Sequence, residues 1–283
     1  MKKVTLGDLH AARQSGDKLA MLTCYDFTTA TVMQQAGVPI LLVGDSAANV
    51  ILGHDATTAI ELPLLQTLTA AVRRGAPLAY LMADMPFGSY HGDAGAAVER
   101  VCETVRKTGC DAVKLEVVPR QAKLVGRLAD AGVAVCCHLG LRPQSVQIFG
   151  YRAQGRTAKE AEQIVAAARK MEKAGACSIL LEAVPAEVGR AVVDAVEIPV
   201  IGCGAGPSPM AHVVVLQDLL GLTGRRPKFV PDLPQRPLRE TIEEYARLVA
   251  SAAYPAAKHV YTMAAGEAEK LASGSSSPVR THR

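Results

Sequence analysis

The chain contains no tryptophan, and aromatic residues make up only 4% of its 283 positions. It also has no uncharged apolar stretch of about 18 residues, the length that a membrane-spanning helix needs. Its 31 Lys and Arg residues are scattered among 27 Asp and Glu residues and form no basic block. We therefore expect neither a membrane-spanning segment nor a nucleic-acid-binding surface.

The seven cysteines include no pair with the CxxC spacing of a zinc knuckle or a redox motif. An odd number of cysteines, mostly within apolar runs, is typical of reduced thiols in a cytosolic protein. Residues 1–18 are polar and lack the apolar core of a signal peptide. The sequence thus predicts a cytoplasmic protein whose cysteines serve as small apolar packing residues.

Short apolar runs alternate with longer amphipathic stretches. Most of these runs are apolar at every position, which is typical of parallel strands that are buried on both faces. Eight strands are predicted, at residues 19–23, 39–44, 78–84, 111–116, 133–140, 178–182, 198–206 and, less clearly, 212–222.

Helical patterns lie between these runs, and several of them end in glycine, which supplies a left-handed cap. They include 27–36, 61–74, 94–109, 157–175 and 186–196. Eight strands, seven intervening helical segments and a long last helix at about 236–252 predict an α/β fold, a (β/α)₈ TIM barrel. A doubly wound open sheet is the alternative. We expect one barrel domain with C-terminal helices over residues 1–265, and a disordered Ser-rich and basic tail over 266–283.

Polar residues follow the apolar part of several predicted strands. In a barrel, the carboxyl ends of the strands face the active site. A single acid there often caps the next helix, and a single His is more often structural, so only the whole set argues for chemistry. The set consists of Asp45 and Ser46 after the second strand, Asp84 after the third, Lys114 and Glu116 in the fourth, His138 in the fifth, Glu182 in the sixth and the glycines of "GCGAG" in the seventh.

Three acids near one barrel axis would each cost several kcal/mol to bury without a compensating charge. Asp45, Asp84 and Glu116 are hard oxygen ligands, which favour Mg²⁺ over Zn²⁺. A 2-oxo acid would bind such an ion through one carboxylate oxygen and its keto oxygen, and Lys114 would grip the carboxylate. The ion would acidify the carbon next to the ketone, and Glu182 or His138 would take the proton. The sequence does not decide between these two bases.

At these residues the sequence resembles the 3-methyl-2-oxobutanoate hydroxymethyltransferase family, also called ketopantoate hydroxymethyltransferases. The resemblance runs from about Val4 to Tyr261. It is carried by "LLVGDS", "AVRRGAP", "ADMPFGSY", "VKLE", "HLGLRPQSV", "LLEAVP" and "IPVIGCGAG", in that order.

The resemblance implies a barrel of the phosphoenolpyruvate/pyruvate type that forms a homo-oligomer, commonly a decamer. It implies that a hydroxymethyl group passes from 5,10-methylenetetrahydrofolate to 3-methyl-2-oxobutanoate, giving 2-dehydropantoate for pantothenate synthesis. The residues it implies are Asp45, Asp84 and Glu116 for Mg²⁺; Asp45, Ser46, Asp84 and Lys114 for the oxo acid; Glu182 as proton acceptor; and His138 as a further active-site residue.

Four stretches depart from the family's usual pattern, and they leave open whether substrate choice or activity has changed. They are Ala47–Asn49, Val117–Val118, Cys203 and Pro207–Met210. The valine pair stands where the family has glycines, and we expect it to stiffen its loop and narrow the approach of a ligand. Two alternatives follow: a related magnesium barrel that acts on another 2-oxo acid, as a carbon–carbon lyase or mutase, and a catalytically silent paralogue.

Overall fold

The computed structural model describes residues 2–224 and 226–274. Eight parallel strands close into one barrel in the order in which they occur along the chain, and β1 pairs with both β2 and β8. The strands are β1 (Leu19–Thr23), β2 (Ile40–Val43), β3 (Tyr80–Asp84), β4 (Ala112–Glu116), β5 (Val135–Gly140), β6 (Ser178–Glu182), β7 (Val200–Cys203) and β8 (Ala211–Val214). The predicted (β/α)₈ barrel is confirmed.

The helices surround the barrel and connect its strands. They are α1 (Leu6–Ser15), α2 (Phe27–Gln35), α3 (Ala47–Val50), α4 (Leu62–Gly75), α5 (Ala94–Thr108), α6 (Ala122–Asp130), α7 (Val146–Phe149), α8 (Ala158–Lys173), α9 (Ala186–Ala195), α10 (Leu216–Leu219), α11 (Leu238–Ala250) and α12 (Glu267–Ser273).

The helix α1 precedes the first strand and was not predicted from the sequence. A capping box fixes its start: the Asp8 main-chain N–H donates to the Thr5 hydroxyl, and the Asp8 carboxylate accepts from the Thr5 main-chain N–H. Its residues Leu9 and Ala12 are buried in the same apolar cluster as Met21 and Ile40 of the barrel strands. The helix therefore adds to the core inside the barrel, while a larger cluster lies between the strands and the outer helices.

Three predictions about the C-terminal half were wrong in detail. The predicted seventh helical connection is absent, because residues 204–210 join β7 to β8 without a helix in the described structure. The predicted eighth strand ends early, since Leu216–Leu219 is helical. The predicted tail at 266–283 begins with helix α12, which packs on α8 and whose Glu267 accepts a hydrogen bond from the Ala158 main-chain N–H. Residues 275–283 of that tail lie outside the described residues.

No helix among the described residues is long and apolar enough to cross a membrane. All seven cysteines are free, and four of them are fully buried or nearly so. These thiols pack as small apolar groups, as the sequence predicted.

Candidate active site

The structure brings all seven predicted site residues to the carboxyl ends of β2 to β6. Parallel strands in a closed barrel end at the same rim, so residues far apart in sequence meet there. Glu182 has a side chain that is 19% exposed, and Ser46 is half-buried. The other five are at most 5% exposed: Asp45, Asp84, Lys114, Glu116 and His138.

Asp45, Asp84 and Lys114 form one contact chain across three neighbouring strands. The Asp45 main-chain N–H donates to Asp84 Oδ2 at 2.8 Å, and Lys114 Nζ lies 2.8 Å from Asp84 Oδ1. A Cβ on Gly44 would lie 2.7 Å from Ser46 Oγ, so a larger residue at this position would displace the Ser46 hydroxyl. Ser46 Oγ lies 2.8 Å from the hydroxyl of Tyr25.

His138 lies between the lysine and two further carboxylates. Its Nδ1 is 3.2 Å from Lys114 Nζ and 3.8 Å from Glu116 Oε1, and its Nε2 is 3.4 Å from Glu182 Oε2. Burial and the adjacent Lys114 charge hold the pKa of His138 well below its usual range, so the imidazole is neutral. An ammonium can only donate, so Nδ1 accepts and the ring hydrogen belongs on Nε2, facing Glu182.

The carboxylates of this cluster outnumber its cations. Burial raises the pKa values of Asp45, Glu116 and Glu182, that of Glu182 to about 8, and neighbouring carboxylates add to the effect. Burial by itself lowers the pKa of Lys114, but Asp84 and the other nearby carboxylates raise it above its usual value. The ammonium is therefore charged, and it lies 2.8 Å from Asp84 Oδ1 and 3.2 Å from His138 Nδ1.

The donor set fits a hard divalent cation that keeps room for water and substrate. Among the described residues no three His, Cys, Asp or Glu side chains form a ready metal-binding group. Magnesium does not require one, because it commonly uses one or two carboxylates together with waters and substrate oxygens. The buried Oε1 of Glu116 accepts no hydrogen bond from the described residues, and excess buried negative charge favours a cation at this position.

Two buried polar residues of the site were missed by the sequence analysis, Gln144 and Tyr90. Gln144 lies in a short 3₁₀ helix (Pro143–Ser145) directly after β5, and its Nε2 donates to Asp45 Oδ2 at 2.8 Å. The Tyr90 hydroxyl lies 2.8 Å from Gln144 Oε1. Both residues belong to stretches that carry the family resemblance, "HLGLRPQSV" and "ADMPFGSY". Their place in these stretches was the sequence signal that could have identified them as site residues.

The departures from the family pattern lie on different sides of the barrel wall. Val117 is buried in the cluster between the strands and the helices, so the expected narrowing of the ligand approach by its side chain is not seen. Ala47 and Ala48 are fully buried in α3. Cys203 pairs in register with Glu182 and packs against both clusters, and Met210 belongs to the cluster inside the barrel.

A cavity of about 90 Å³ lies away from these residues. It is lined by residues that include Arg13 and Lys18, around α1, and Ser208 and Met210, just before β8. None of the predicted site residues lines it. The chemistry of the strand ends, and not the size of this cavity, therefore locates the candidate active site.

Comparisons with known proteins identify the family to which this chain is similar. The sequence pattern of a family described as ketopantoate hydroxymethyltransferase matches residues 3–257. The 3-methyl-2-oxobutanoate hydroxymethyltransferase 2 of Pseudomonas aeruginosa (strain UCBPP-PA14) is 44% identical over 264 residues, which cover 92% of this chain and 98% of that one. The 3-methyl-2-oxobutanoate hydroxymethyltransferase of Thermobifida fusca (strain YX) is 42% identical over 263 residues, covering 92% of this chain and 94% of the relative.

Solved structures show the same fold at much lower identity. A phosphonopyruvate hydrolase superposes with a TM-score of 0.58 and 17% identity, covering 76% of this chain and 80% of its own. A 2,3-dimethylmalate lyase, a member of the PEP mutase/isocitrate lyase superfamily, superposes with a TM-score of 0.56 and 20% identity, covering 74% and 79%. These likenesses show the (β/α)₈ fold that the sequence predicted. Match length and identity together show that the chain belongs to the ketopantoate hydroxymethyltransferase family.

Proposed function

We propose that the protein transfers a hydroxymethyl group from 5,10-methylenetetrahydrofolate to 3-methyl-2-oxobutanoate, giving 2-dehydropantoate in pantothenate synthesis, with Mg²⁺ as its cofactor. One observation carries the proposal. In a chain of this family, four carboxylates and one lysine gather at the carboxyl end of the barrel.

In this proposal Asp45, Asp84 and Glu116 hold Mg²⁺, directly or through water. When bound, the ion would polarise the keto group of the oxo acid and lower the pKa of the neighbouring C–H. Ser46 and Lys114 would bind the oxo acid with Asp45 and Asp84, the lysine as the positive charge that faces a carboxylate. The 2.8 Å contact between Lys114 and Asp84 fixes the direction in which this charge points.

The geometry favours Glu182 over His138 as the group that takes the C3 proton. The Nδ1 lone pair of His138 is occupied by Lys114, and its Nε2 carries a hydrogen, so the neutral ring has no free site for a proton. Glu182 has two acceptor oxygens and is partly exposed. The Nε2–H of His138 faces it, with Nε2 3.4 Å from Glu182 Oε2. We therefore assign the proton transfer to Glu182, and we assign to His138 the role of orienting the Glu182 carboxylate.

The assay that tests the proposal follows turnover of 3-methyl-2-oxobutanoate with methylenetetrahydrofolate, once with Mg²⁺ and once with chelator. Metal-dependent 2-dehydropantoate is the expected result. Exchange of the C3 proton with deuterated solvent, without folate, separates the alternatives. Exchange without product would shift the proposal to another reaction of the same oxo acid. Absence of both, in folded protein that binds Mg²⁺, would favour another oxo acid or a silent paralogue.

The base is tested by Glu182→Gln, which keeps the side-chain size but cannot accept the proton. The expected result is a kcat lower by roughly 10²- to 10⁴-fold with little change in KM, because general-base catalysis is lost while substrate contacts remain. Glu61→Gln, at the exposed start of α4, is the matched control. An unchanged kcat in Glu182→Gln would remove this residue from the mechanism.

The proposal extends to location and assembly. A cytoplasmic enzyme agrees with seven free cysteines. A homo-oligomer, with a decamer as the form that the family resemblance implies, is tested by size-exclusion chromatography with light scattering. A monomer at micromolar protein concentration would contradict the proposed homo-oligomer.

A further inference from the structure

Gln144 connects two of the acids that lie on separate strands. It is 6% exposed, and its Nε2 donates to Asp45 Oδ2 at 2.8 Å and to the main-chain oxygen of Met85 at 3.1 Å. Its own main-chain N–H donates to Glu116 Oε2 at 3.0 Å. One residue thus contacts the carboxylate after β2 and the carboxylate at the end of β4.

The neighbours of the amide decide which of its ends carries nitrogen. On one side lie a carboxylate oxygen and a main-chain carbonyl, Asp45 Oδ2 and Met85 O, which can only accept. On the other side lies the Tyr90 hydroxyl, 2.8 Å from Oε1 and 3.0 Å from the main-chain oxygen of Glu116. A flipped amide would place its oxygen against two acceptors. These two acceptors therefore fix the orientation in which Gln144 donates to Asp45, and the Tyr90 hydroxyl can donate to Gln144 Oε1.

The amide is neutral, and this matters in a cluster of buried acids. A Lys or Arg at this position would neutralise a carboxylate and compete with a metal ion for it. The amide binds one oxygen of Asp45, and the main-chain N–H binds one oxygen of Glu116. These contacts add no positive charge and leave each carboxyl group a second oxygen, and Glu116 Oε1 is buried without a hydrogen bond from the described residues.

We propose that Gln144, hydrogen-bonded to Tyr90, is a positioning residue that holds the Asp45 and Glu116 carboxylates in the arrangement that binds the divalent cation. This rests on the proposed Mg²⁺-dependent function. Hydrogen-bond donors behind metal-binding carboxylates commonly change metal affinity by about 10- to 100-fold when they are removed.

The test variant is Gln144→Met, which has a similar shape and no charge but lacks the amide donor. Affinity for Mn²⁺, as a spectroscopic substitute for Mg²⁺, is measured by electron paramagnetic resonance, and kinetics are run over a range of Mg²⁺ concentrations. We expect Mn²⁺ binding that is weaker by about 10- to 100-fold. The Mg²⁺ concentration for half-maximal rate should rise by a similar factor, with kcat at saturating Mg²⁺ within a few-fold of wild type.

The matched control is Gln66→Met. Gln66 is also buried, at 8% exposure, and its Nε2 donates to the Thr104 hydroxyl at 2.9 Å, between α4 and α5 and outside the active site. This variant loses the same kind of hydrogen bond, so its melting temperature should fall comparably. Its Mn²⁺ affinity should equal that of the wild type, which separates positioning from general destabilisation.

Tyr90→Phe provides a second test of the proposal. It becomes the deciding test if Gln144→Met does not fold. The Phe variant keeps the ring and removes the hydrogen-bond partner of the Gln144 amide oxygen, so Gln144 is held less firmly and Mn²⁺ binding should weaken severalfold. Wild-type Mn²⁺ affinity in folded Gln144→Met, or in Tyr90→Phe if only that variant folds, would overturn the positioning role while leaving the Mg²⁺ proposal intact. If the wild-type protein bound neither Mn²⁺ nor Mg²⁺, both proposals would fall together.

Discussion

Lys114 is the residue whose removal should most disturb the buried charges of this barrel. Its side chain is 5% exposed, and its Nζ lies 2.8 Å from the carboxylate of Asp84, which is 2% exposed. The substitution Lys114→Met keeps most of the side-chain volume and deletes the charge. Asp84 then loses its ion-pair partner in a cluster that contains three further acids, Asp45, Glu116 and Glu182.

The size of the effect follows from distance and burial. At 2.8 Å and an effective dielectric constant of about 20, the attraction between the two charges is roughly 6 kcal/mol, and part of it offsets their desolvation. Breaking a buried pair by removing one partner typically costs about 3 to 5 kcal/mol in unfolding free energy. We expect a loss in that range for Lys114→Met in the presence of a chelator.

Adding Asp84→Asn to Lys114→Met should restore part of this stability, because the unpaired carboxylate is removed as well. Urea unfolding of the wild type, both single variants and the double variant measures the coupling, which we expect to be about 2 kcal/mol. Lys107→Met is the control, since its pair with Glu103 is roughly half exposed and should contribute at most about 0.5 kcal/mol. Strict additivity of the Lys114 and Asp84 substitutions would show that the two charges do not stabilise each other.

Three further predictions concern other parts of the chain. Burial lowers the pKa of His212 from 6.5 to about 3, so the folded state resists its protonation, and stability falls as the pH drops below 6.5 towards 3. At pH 5 this loss is about 2 kcal/mol, and His212→Phe should abolish it in urea titrations compared at about pH 7.5 and pH 5; an unchanged pH dependence would contradict the assignment. Gly189→Ala would place a Cβ 2.0 Å from the Ala205 main-chain oxygen, so α9 must shift and the variant should lose about 1 to 3 kcal/mol, measured as a lower melting temperature. An unchanged melting temperature in that variant would show that the loop containing Ala205 can move without a cost in stability. Mg²⁺ at 100 times its dissociation constant should stabilise the wild type by about 2.7 kcal/mol, and an unmoved melting temperature would argue against a metal site.

Much of the fold could be predicted from local sequence because its signals are local. An all-apolar run indicates a strand covered on both faces, and glycine after a helix indicates its end. The runs at 19–23 and 178–182 coincide with β1 and β6. The less clear strand predicted at 212–222 in fact contains the end of a strand and a short helix, since β8 ends at Val214 and α10 begins at Leu216. An apolar run that continues from strand to helix has no internal signal for the boundary.

Which strand ends carry acids could be predicted from the sequence alone, because the order of residues along each strand fixes which of them reaches the rim. The sequence also indicated hard oxygen ligands and a nearby base. Tertiary structure decided the pairings. Only the closed barrel shows that Lys114 contacts Asp84 and His138, that Val117 faces the outer helices, and that Gln144 reaches two acids from the end of another strand. These contacts depend on the register and the twist of neighbouring strands. Register and twist are set by residues spread over the whole chain, so no local sequence pattern reveals the contacts.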